Sequence, residues 1–476
     1  MSTLTNVWYR NWQAKLKSVA FTDISNVTTL CAFNALTDKV ITYNSRSFAP
    51  LFNTFEKNSR YLLKKANSKI SRVDSPAMLA AALLQCFKTG KAMHVPANQQ
   101  LLNWLESTFS THGSIGGQAG IIANQLALLG GKPILYTSPL SPQLAQLFSP
   151  RVKFPVAGND LTFIPVTHAG QRGKHSKTNF VIEFQKGAAI RFNGAIYVAP
   201  RANRIILSSP YMHPPLFETE LVHFLPRLGE KINAGIFSGY QALQPLYEDG
   251  TTYEYYLSLE ELYLTMLKSH KNVPLHVEYV STPFKDVDKM IYEHITKHVD
   301  SFGLNEIELV ELSEKLGFSR LGREIVKKEN VVTLHAAAYQ VLNALQLKRL
   351  HVHNLGYHLV LLKKPIDIAS QRKQVNGVLF GSLVATSRAL HGKEITKSEV
   401  HDALSIPVTQ NGLNQMAQMC AHLSLSRPRA EHALLTGIFD MHDHIALVIP
   451  GQVAPLLRKT VGLGDTVSAC SFIAGL

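Results

Sequence analysis

The residues whose types and spacing are best suited to chemistry lie near the end of the chain, in TVGLGDTVSACSF (Thr460–Phe472). Gly462 and Gly464 let the backbone approach a ligand closely, and the N-terminus of the small-residue helix that follows offers free N–H groups to an anion. A carboxylate beside such an anion site needs a task, and Asp465 could accept a proton from an attacking hydroxyl. The segment therefore predicts a general base, although an ordinary helix-capping aspartate would look the same.

Two further motifs place pairs of polar side chains on one face of an element. His276 and Glu278 of HVE are two apart near the end of a predicted strand, so they point together. Asn305 and Glu308 of NEIE are three apart at the start of a predicted helix and also share a face. Magnesium takes oxygen ligands, usually with several waters, so these carboxylates are candidate metal contacts. Taken singly, each pair also fits solvated polar residues at element ends.

Glycines and cations mark a possible substrate side. GGQAG (Gly116–Gly120) precedes a predicted helix and indicates either close helix packing or a backbone surface for a sugar. Guanidinium groups match phosphate bidentately, so a cluster of basic residues could bind an anionic substrate, or could simply be a solvated loop. This cluster comprises His168, Arg172, Lys174, His175, Lys177, Lys186, Arg191, Arg201 and Arg204.

The elements that must position these residues alternate between strand and helix. A buried strand is predicted over Val27–Asn34, a capped helix over Ser75–Gly90, and a helix within Gly116–Gly131 that is followed by another strand. This rhythm predicts a mostly parallel sheet with helices on both faces. The segment Asn179–Ser209 is instead rich in short strands, and its alternation predicts a smaller sheet exposed on one face, inserted as a lid.

Length and composition limit the function classes. The 476 residues predict two units rather than one core. We expect no membrane span and no signal peptide. The four cysteines include no CxxC pair, which argues against a disulfide framework or structural zinc and favours a cytoplasmic location. The net charge is +14, but the basic residues are scattered without a long tail, which argues against nucleic-acid binding. Walker A and GxGxxG patterns are missing from the sequence.

The ordered motifs GGQAGIIANQLA, IEFQKG, PRANRII, HVE, GLNEIELVEL, HVHNLGYHL and VGLGDT resemble the ADP-dependent glucokinase/phosphofructokinase family, from about residue 27 to the C-terminus. The resemblance implies a ribokinase-like fold: a three-layer α/β/α large domain with a smaller β-rich lid. It divides the chain into a large nucleotide-binding domain of residues 1–38, 68–90, 112–165 and 211–476, and a discontinuous lid of residues 39–67, 91–111 and 166–210.

The resemblance also assigns roles to individual residues. It implies that Asp465 is the catalytic base, that Mg²⁺ is bound near Glu278, Glu308 and Asp465, and that ADP is the phosphoryl donor. The implied nucleotide contacts are Arg204, Tyr357, Val448, Gly462, Leu463 and Gly464. The implied substrate contacts are Asn34, Asp38, His94, Gly116, Gly117, Gln118, Lys174 and Arg201.

Two departures from the family pattern bear on the sugar. An N-x-N-x-D strand end reads Asn34-Ala35-Leu36-Thr37-Asp38 here, so Leu36 replaces an amide. Glucose-using members carry a glutamate where our alignment places His94, and a carboxylate there would repel a sugar phosphate. We therefore expect fructose 6-phosphate as the acceptor. The alternatives are glucose as acceptor, a bifunctional enzyme that uses both sugars, an ATP-using ribokinase-like kinase, and a non-catalytic sugar or nucleotide sensor. Oligomeric state is left open.

Overall fold

The computed structural model describes residues 3–173, 176–209, 213–247, 249–282, 284–455 and 461–476, and the side chains of residues 3–6 are not described. Its strands are β1 (Thr28–Phe33), β2 (Leu36–Thr42), β3 (Met93–Pro96), β4 (His112–Gly116), β5 (Lys132–Tyr136), β6 (Lys153–Ala157), β7 (Leu161–Pro165), β8 (Thr178–Phe184), β9 (Ala189–Phe192), β10 (Ala195–Val198), β11 (Asn203–Ser208), β12 (Ala234–Ser238), β13 (Leu275–Glu278), β14 (Ser301–Leu304), β15 (Arg349–Asn354), β16 (Tyr357–Lys363), β17 (Ile438–Asp440) and β18 (His444–Pro450).

The α-helices of the described residues alternate with these strands over much of the chain. They are α1 (Thr3–Val19), α2 (Ser45–Thr54), α3 (Ser59–Ala66), α4 (Pro76–Thr89), α5 (Gln99–Thr108), α6 (Gln118–Leu128), α7 (Pro142–Ala145), α8 (Thr219–Val222), α9 (Leu225–Lys231), α10 (Tyr253–Lys268), α11 (Lys285–His294), α12 (Glu306–Lys315), α13 (Ser319–Lys327), α14 (Val331–Ala344), α15 (Ile368–His391), α16 (Gln410–His422), α17 (Arg427–Thr436) and α18 (Leu463–Ala474). Within the described ranges, no helix is both long and apolar enough to span a membrane.

The larger sheet follows the order β17-β18-β16-β15-β14-β13-β12-β1-β5-β6-β7. The strands from β6 through β15 in this order are parallel, and antiparallel strands flank them. Helices α1, α6, α15 and α18 form one connected layer, while α10 to α14 and α16 form another, and both layers contact the sheet. The strand–helix rhythm therefore gives the predicted three-layer arrangement, in which the carboxyl ends of the parallel strands meet at one edge.

A smaller sheet, in the order β3-β11-β8-β2-β4, has its own apolar core. Helix α4 contributes Leu79 to Phe87 to that core, which corrects the placement of residues 68–90 in the larger unit. The physical reason is that α4 buries apolar side chains around most of its circumference, so periodicity alone does not identify its partner. Strands β2 and β4 likewise pair within this sheet, so 36–38 and 112–116 also differ from the expected boundaries.

The second face of the small sheet is polar because side chains alternate along each strand. Ile205 and Phe180 belong to the apolar core, so their neighbours Arg204 and Asn179 point away from it. The strand registers align Asp38 with Asn179, and Ile206 with His94. His94, Asp38, Asn179 and Arg204 thus share one face. The negative charge of Asp465 acts on the pKa of Arg204, so Arg204 on this face lies within electrostatic range of the start of α18.

Candidate active site

Asp465 lies in the first turn of α18, directly after a glycine turn. Gly462 has φ +74°, in the left-handed region that favours glycine, and forms the N-cap. A Cβ on Gly464 would come within 2.9 Å of the His353 ring, so glycine there permits close packing against β15. The sequence prediction that a glycine turn delivers Asp465 to a helix N-terminus is therefore matched by the geometry.

Glu278 forms the charged centre beneath this turn. Its side chain is 3% exposed, and its two oxygens face two imidazoles. Nε2 of His353 lies 3.0 Å from Oε1, and Nε2 of His276 lies 3.3 Å from Oε2. Burial alone would raise the pKa of Glu278, but the hydrogen bonds from His276 and His353 outweigh it and hold the pKa below its usual range. His276 and Glu278 do share one face of β13, as their spacing predicts.

Glu308 closes the N-terminus of α12. Its Oε2 accepts a hydrogen bond from the Asn305 amide at 2.8 Å, while Asn305 Oδ1 accepts from the Glu308 amide at 2.9 Å, which is a capping box. Burial, with Glu278 and Asp465 nearby, raises the pKa of Glu308 to about 8. The i, i+3 pairing predicted from NEIE is present. It caps α12, and Glu308 also lies close enough to Glu278 and Asp465 to feel their charges.

The same neighbours shift the pKa of Asp465. Burial and the negative charge of Glu278 raise the pKa of Asp465 to about 7, while His353, Arg388 and Arg204 act in the opposite direction. A carboxylate poised near neutral pH suits a general base. Burial lowers the pKa of His353, but Glu278, Glu308 and Asp465 dominate and raise it to about 9. His353 thus supplies positive charge beside three carboxyl groups.

Arg388 is a site residue that the sequence interpretation missed. This side chain of α15 is fully buried, and its Nη1 donates to Gly462 O at 3.0 Å and to Thr466 Oγ1 at 2.6 Å. Nη2 pairs with Glu394 at 2.8 Å. An arginine inside a helix carries no local signal of such a long-range contact, so no motif could have found it.

A cavity of about 220 Å³ opens beside the turn. It is lined by Leu463 and Gly464 together with the β15–β16 connection and part of α15, among them His353, Asn354, Gly356, His358 and Thr386.

Tyr357 and Val448 do not line this cavity. Tyr357 is 1% exposed and Val448 is 0% exposed in the main core, because alternation along β16 turns His358, and not Tyr357, toward the cavity. The nucleotide contacts expected for Tyr357 and Val448 stay predictions.

The expected sugar side is built around Gln118. Asn34 Nδ2 donates to Gln118 Oε1 at 2.8 Å, and Gln241 Nε2 donates to the same oxygen at 3.0 Å. Gly117, with φ +75°, leaves no room for a side chain against the Asn34 carbonyl. A Cβ on Gly116 would lie 2.5 Å from the Asp38 carboxylate, so this glycine lets Asp38 pack on β4. Gln241 was not anticipated.

The residues expected to contact a sugar phosphate lie in different surroundings. Nε2 of His94 lies 2.7 Å from Ser208 Oγ. The surrounding protein, Lys177 and Arg204 lower the pKa of His94, so the ring is neutral at pH 7. Arg201 donates through Nε to Gly90 O at 2.6 Å, toward the end of α4. Lys174 lies outside the described residues.

Comparison with known proteins identifies the family of this chain. A family model described as the ADP-specific phosphofructokinase/glucokinase conserved region matches residues 27–474. Two ADP-specific phosphofructokinases are similar to the chain: that of Pyrococcus furiosus is 29% identical, covering 94% of this chain and 96% of the relative, and that of Methanosarcina acetivorans is 30% identical, covering 94% and 92%. A solved ADP-dependent kinase in complex with fructose-6-phosphate and ADPβS is 30% identical, with a TM-score of 0.82, covering 98% of this chain and 97% of that one.

These similarities define the fold as a ribokinase-like α/β/α architecture with a smaller sheet, as expected. The chain belongs to the ADP-specific phosphofructokinase/glucokinase family. Both the predicted family and the predicted fold class are confirmed.

Proposed function

We propose that this protein is an ADP-dependent sugar kinase that transfers the β-phosphoryl group of ADP to the C1 hydroxyl of fructose 6-phosphate. The products are fructose 1,6-bisphosphate and AMP. The observation that carries the proposal is Asp465, whose pKa is raised to about 7 by burial and Glu278, at a helix N-terminus in a chain of this family. The two named relatives and the complex with fructose-6-phosphate support the choice of acceptor.

The chain's own groups account for the transfer. The Asp465 carboxylate accepts the proton of the sugar hydroxyl as its oxygen forms a bond to the β-phosphorus. The bond from that phosphorus to the bridging oxygen breaks, and AMP leaves with the electron pair. The free amides at the start of α18, from Leu463 onward, can donate to the phosphoryl oxygens in the transition state.

A divalent cation such as Mg²⁺ fits the donor set of Glu278, Glu308 and Asp465. Burial and the neighbouring carboxylates raise the pKa of Glu308 and of Asp465, and a cation between them would favour the ionised form of both groups. Among the residues that the structure describes, no three His, Cys, Asp or Glu side chains could hold an ion directly. Contact through water, led by Glu308, is therefore the arrangement we propose. A bound cation would supply neutralisation of the phosphate charge.

The smaller unit, residues 36–116 and 176–209, is the proposed lid. Its polar face carries Asp38, His94 and Arg204, and Arg204 lies within electrostatic range of the start of α18. Closure over the substrates would exclude water and limit hydrolysis of ADP.

The experiment is a matrix of initial rates with ADP or ATP as donor and fructose 6-phosphate or glucose as acceptor. We expect the pair of ADP and fructose 6-phosphate to exceed the ADP and glucose pair by roughly two to four orders of magnitude in kcat/KM, the range for two charge-assisted phosphate contacts. Glucose used equally well would overturn the acceptor assignment, and ATP used equally well would overturn the donor assignment.

A further inference from the structure

A chain of hydrogen bonds runs from Glu278 back through the sheet to a buried arginine. Nη1 of Arg349 lies 3.0 Å from Ser301 Oγ, and Ser301 Oγ lies 2.8 Å from His276 Nδ1. His276 Nε2 then faces Glu278 Oε2 at 3.3 Å. Arg349 and Ser301 begin the neighbouring strands β15 and β14, far from the carboxyl ends where Asp465 lies.

The two ends of this chain have fixed hydrogen-bonding roles. A guanidinium only donates, so Ser301 Oγ accepts from Arg349. An ionised carboxylate only accepts, so a ring nitrogen that faces Glu278 should carry a proton. For a neutral ring, one arrangement keeps a donor on the carboxylate: Nε2–H of His276 donates to Glu278, and Ser301 donates its hydroxyl proton to Nδ1 of His276. The opposite tautomer would point a ring lone pair at the carboxylate.

The residues packed around His276 also restrain its ring. The His276 side chain is fully buried, so its hydrogen-bond partners come from the protein around it. Nε2 also lies 3.1 Å from Ser468 Oγ on α18, which couples the ring to the helix that carries Asp465. The His276 ring stacks on Phe472 at 4.9 Å between centroids, so packing restrains the plane of the ring.

We propose that Arg349 and Ser301 are positioning residues that hold His276 in its Nε2–H tautomer and so keep a donor on the Glu278 carboxylate. They act from the opposite end of the sheet and touch neither substrate nor reacting atoms. Their effect on turnover rests on the proposed kinase function, whereas their effect on the tautomer does not. The relay orients Glu278 beneath the turn that carries Asp465.

The primary test is the tautomer of His276 in the full-length protein, labelled with ¹⁵N-histidine. The spectrum of His276→Gln assigns the His276 ring signals by difference. We expect a protonated Nε2 and an unprotonated Nδ1 in the parent protein. A protonated Nδ1 would overturn the proposal. The tautomer itself is measured in the parent protein, and the variant serves only to assign the signals.

The second test compares Ser301→Ala with Ser301→Thr, which keeps the hydroxyl. Loss of one hydrogen bond should lower kcat by about 2- to 12-fold in Ser301→Ala, with a mixed His276 tautomer and a nearly unchanged KM for fructose 6-phosphate. Ser301→Thr should restore both the tautomer and the kcat. Lys348→Ala, at an exposed position next to Arg349, is the matched control and should match the parent.

A Ser301→Ala variant with the parental tautomer and kcat would contradict the relay. If instead the parent protein phosphorylates no sugar with ADP, the proposed function fails while the tautomer measurement still decides the relay.

Discussion

Nε2 of His353 lies 3.0 Å from Oε1 of Glu278, so an ion pair joins β15 to β13 across the intervening strand β14. The crossing is possible because Gly303 on β14 has no side chain: a Cβ there would collide with the Glu278 carboxylate and with Ser468. A glycine in the middle strand thus makes room for the charged centre, and His353 is its cationic half.

His353→Gln should destabilise the protein most at mildly acidic pH. The pKa of His353 is raised to about 9 in the folded protein, mainly by the hydrogen bond and charge of Glu278 working against burial. Its stabilisation is therefore present below the unfolded pKa of about 6.5 and is lost as pH rises through about 9, with an upper size of about 3 kcal/mol. Urea unfolding at pH 6 and at pH 9.5 measures this. An equal loss in the variant at both pH values would show a packing role only.

Glu308→Gln should raise the Mg²⁺ concentration needed for half-maximal activity. Glutamine keeps an oxygen that can accept from the Asn305 amide, so the cap is retained while the charge is removed. We expect an increase of about 5- to 100-fold in the half-saturating concentration, since removing one contributing carboxylate costs 1–3 kcal/mol. Glu311→Gln, exposed on the same helix, is the control. A metal titration unchanged from the parent would remove Glu308 from the metal site.

Arg388→Met should lower kcat more than it raises KM. Without the bonds from Nη1, the Gly462 carbonyl is free to turn and the amides that follow lose their alignment. Misplacement of a positioned group costs about tenfold or more in rate. Arg388→Lys should be intermediate, because one ammonium cannot replace both nitrogens. Arg372→Met, exposed on the same helix, should behave as the parent. Parental kcat in Arg388→Met would show that the turn holds its shape without the arginine.

His94→Glu should act selectively on the phosphorylated sugar. The new carboxylate would share the polar face of the small sheet with Arg204 and Asp38 and would repel a sugar phosphate. We expect kcat/KM for fructose 6-phosphate to fall by about 10-fold or more, with less than about 3-fold change for glucose. His94→Gln separates charge from loss of the ring. Equal losses for both sugars would show that the substitution disturbs the lid structure, and would contradict a sugar phosphate bound near His94.

Local patterns were sufficient to predict much of the site. The period of two in HVE put His276 and Glu278 on one face, and the glycine turn put Asp465 at a helix start, because both are short-range consequences of backbone geometry. The capped helix from Ser75 to Gly90 was also correct: Ser75 caps Met78, and Gly90 has φ +67°.

Contacts distant in sequence could not be predicted in this way. Arg388 and Arg349 reach their partners across 74 and 48 residues, and nothing in their own segments distinguishes them from surface arginines. Helix α1 was missed although Trp12 is buried and donates to Leu434 O at 3.0 Å, because its partner lies 422 residues away. Which side chain of β16 lines the cavity beside α18, His358 rather than Tyr357, depends on the register of that strand, which no local pattern gives.

The most direct test of the account is the fate of label from [β-³²P]ADP incubated with fructose 6-phosphate and Mg²⁺. We expect the label to appear in fructose 1,6-bisphosphate with one AMP formed per sugar phosphorylated. Asp465→Asn should transfer it about 10²- to 10⁴-fold more slowly while folding normally, since a positioned base supplies that factor. Label recovered only as inorganic phosphate, or transfer by Asp465→Asn at more than about a tenth of the parental rate, would contradict the account.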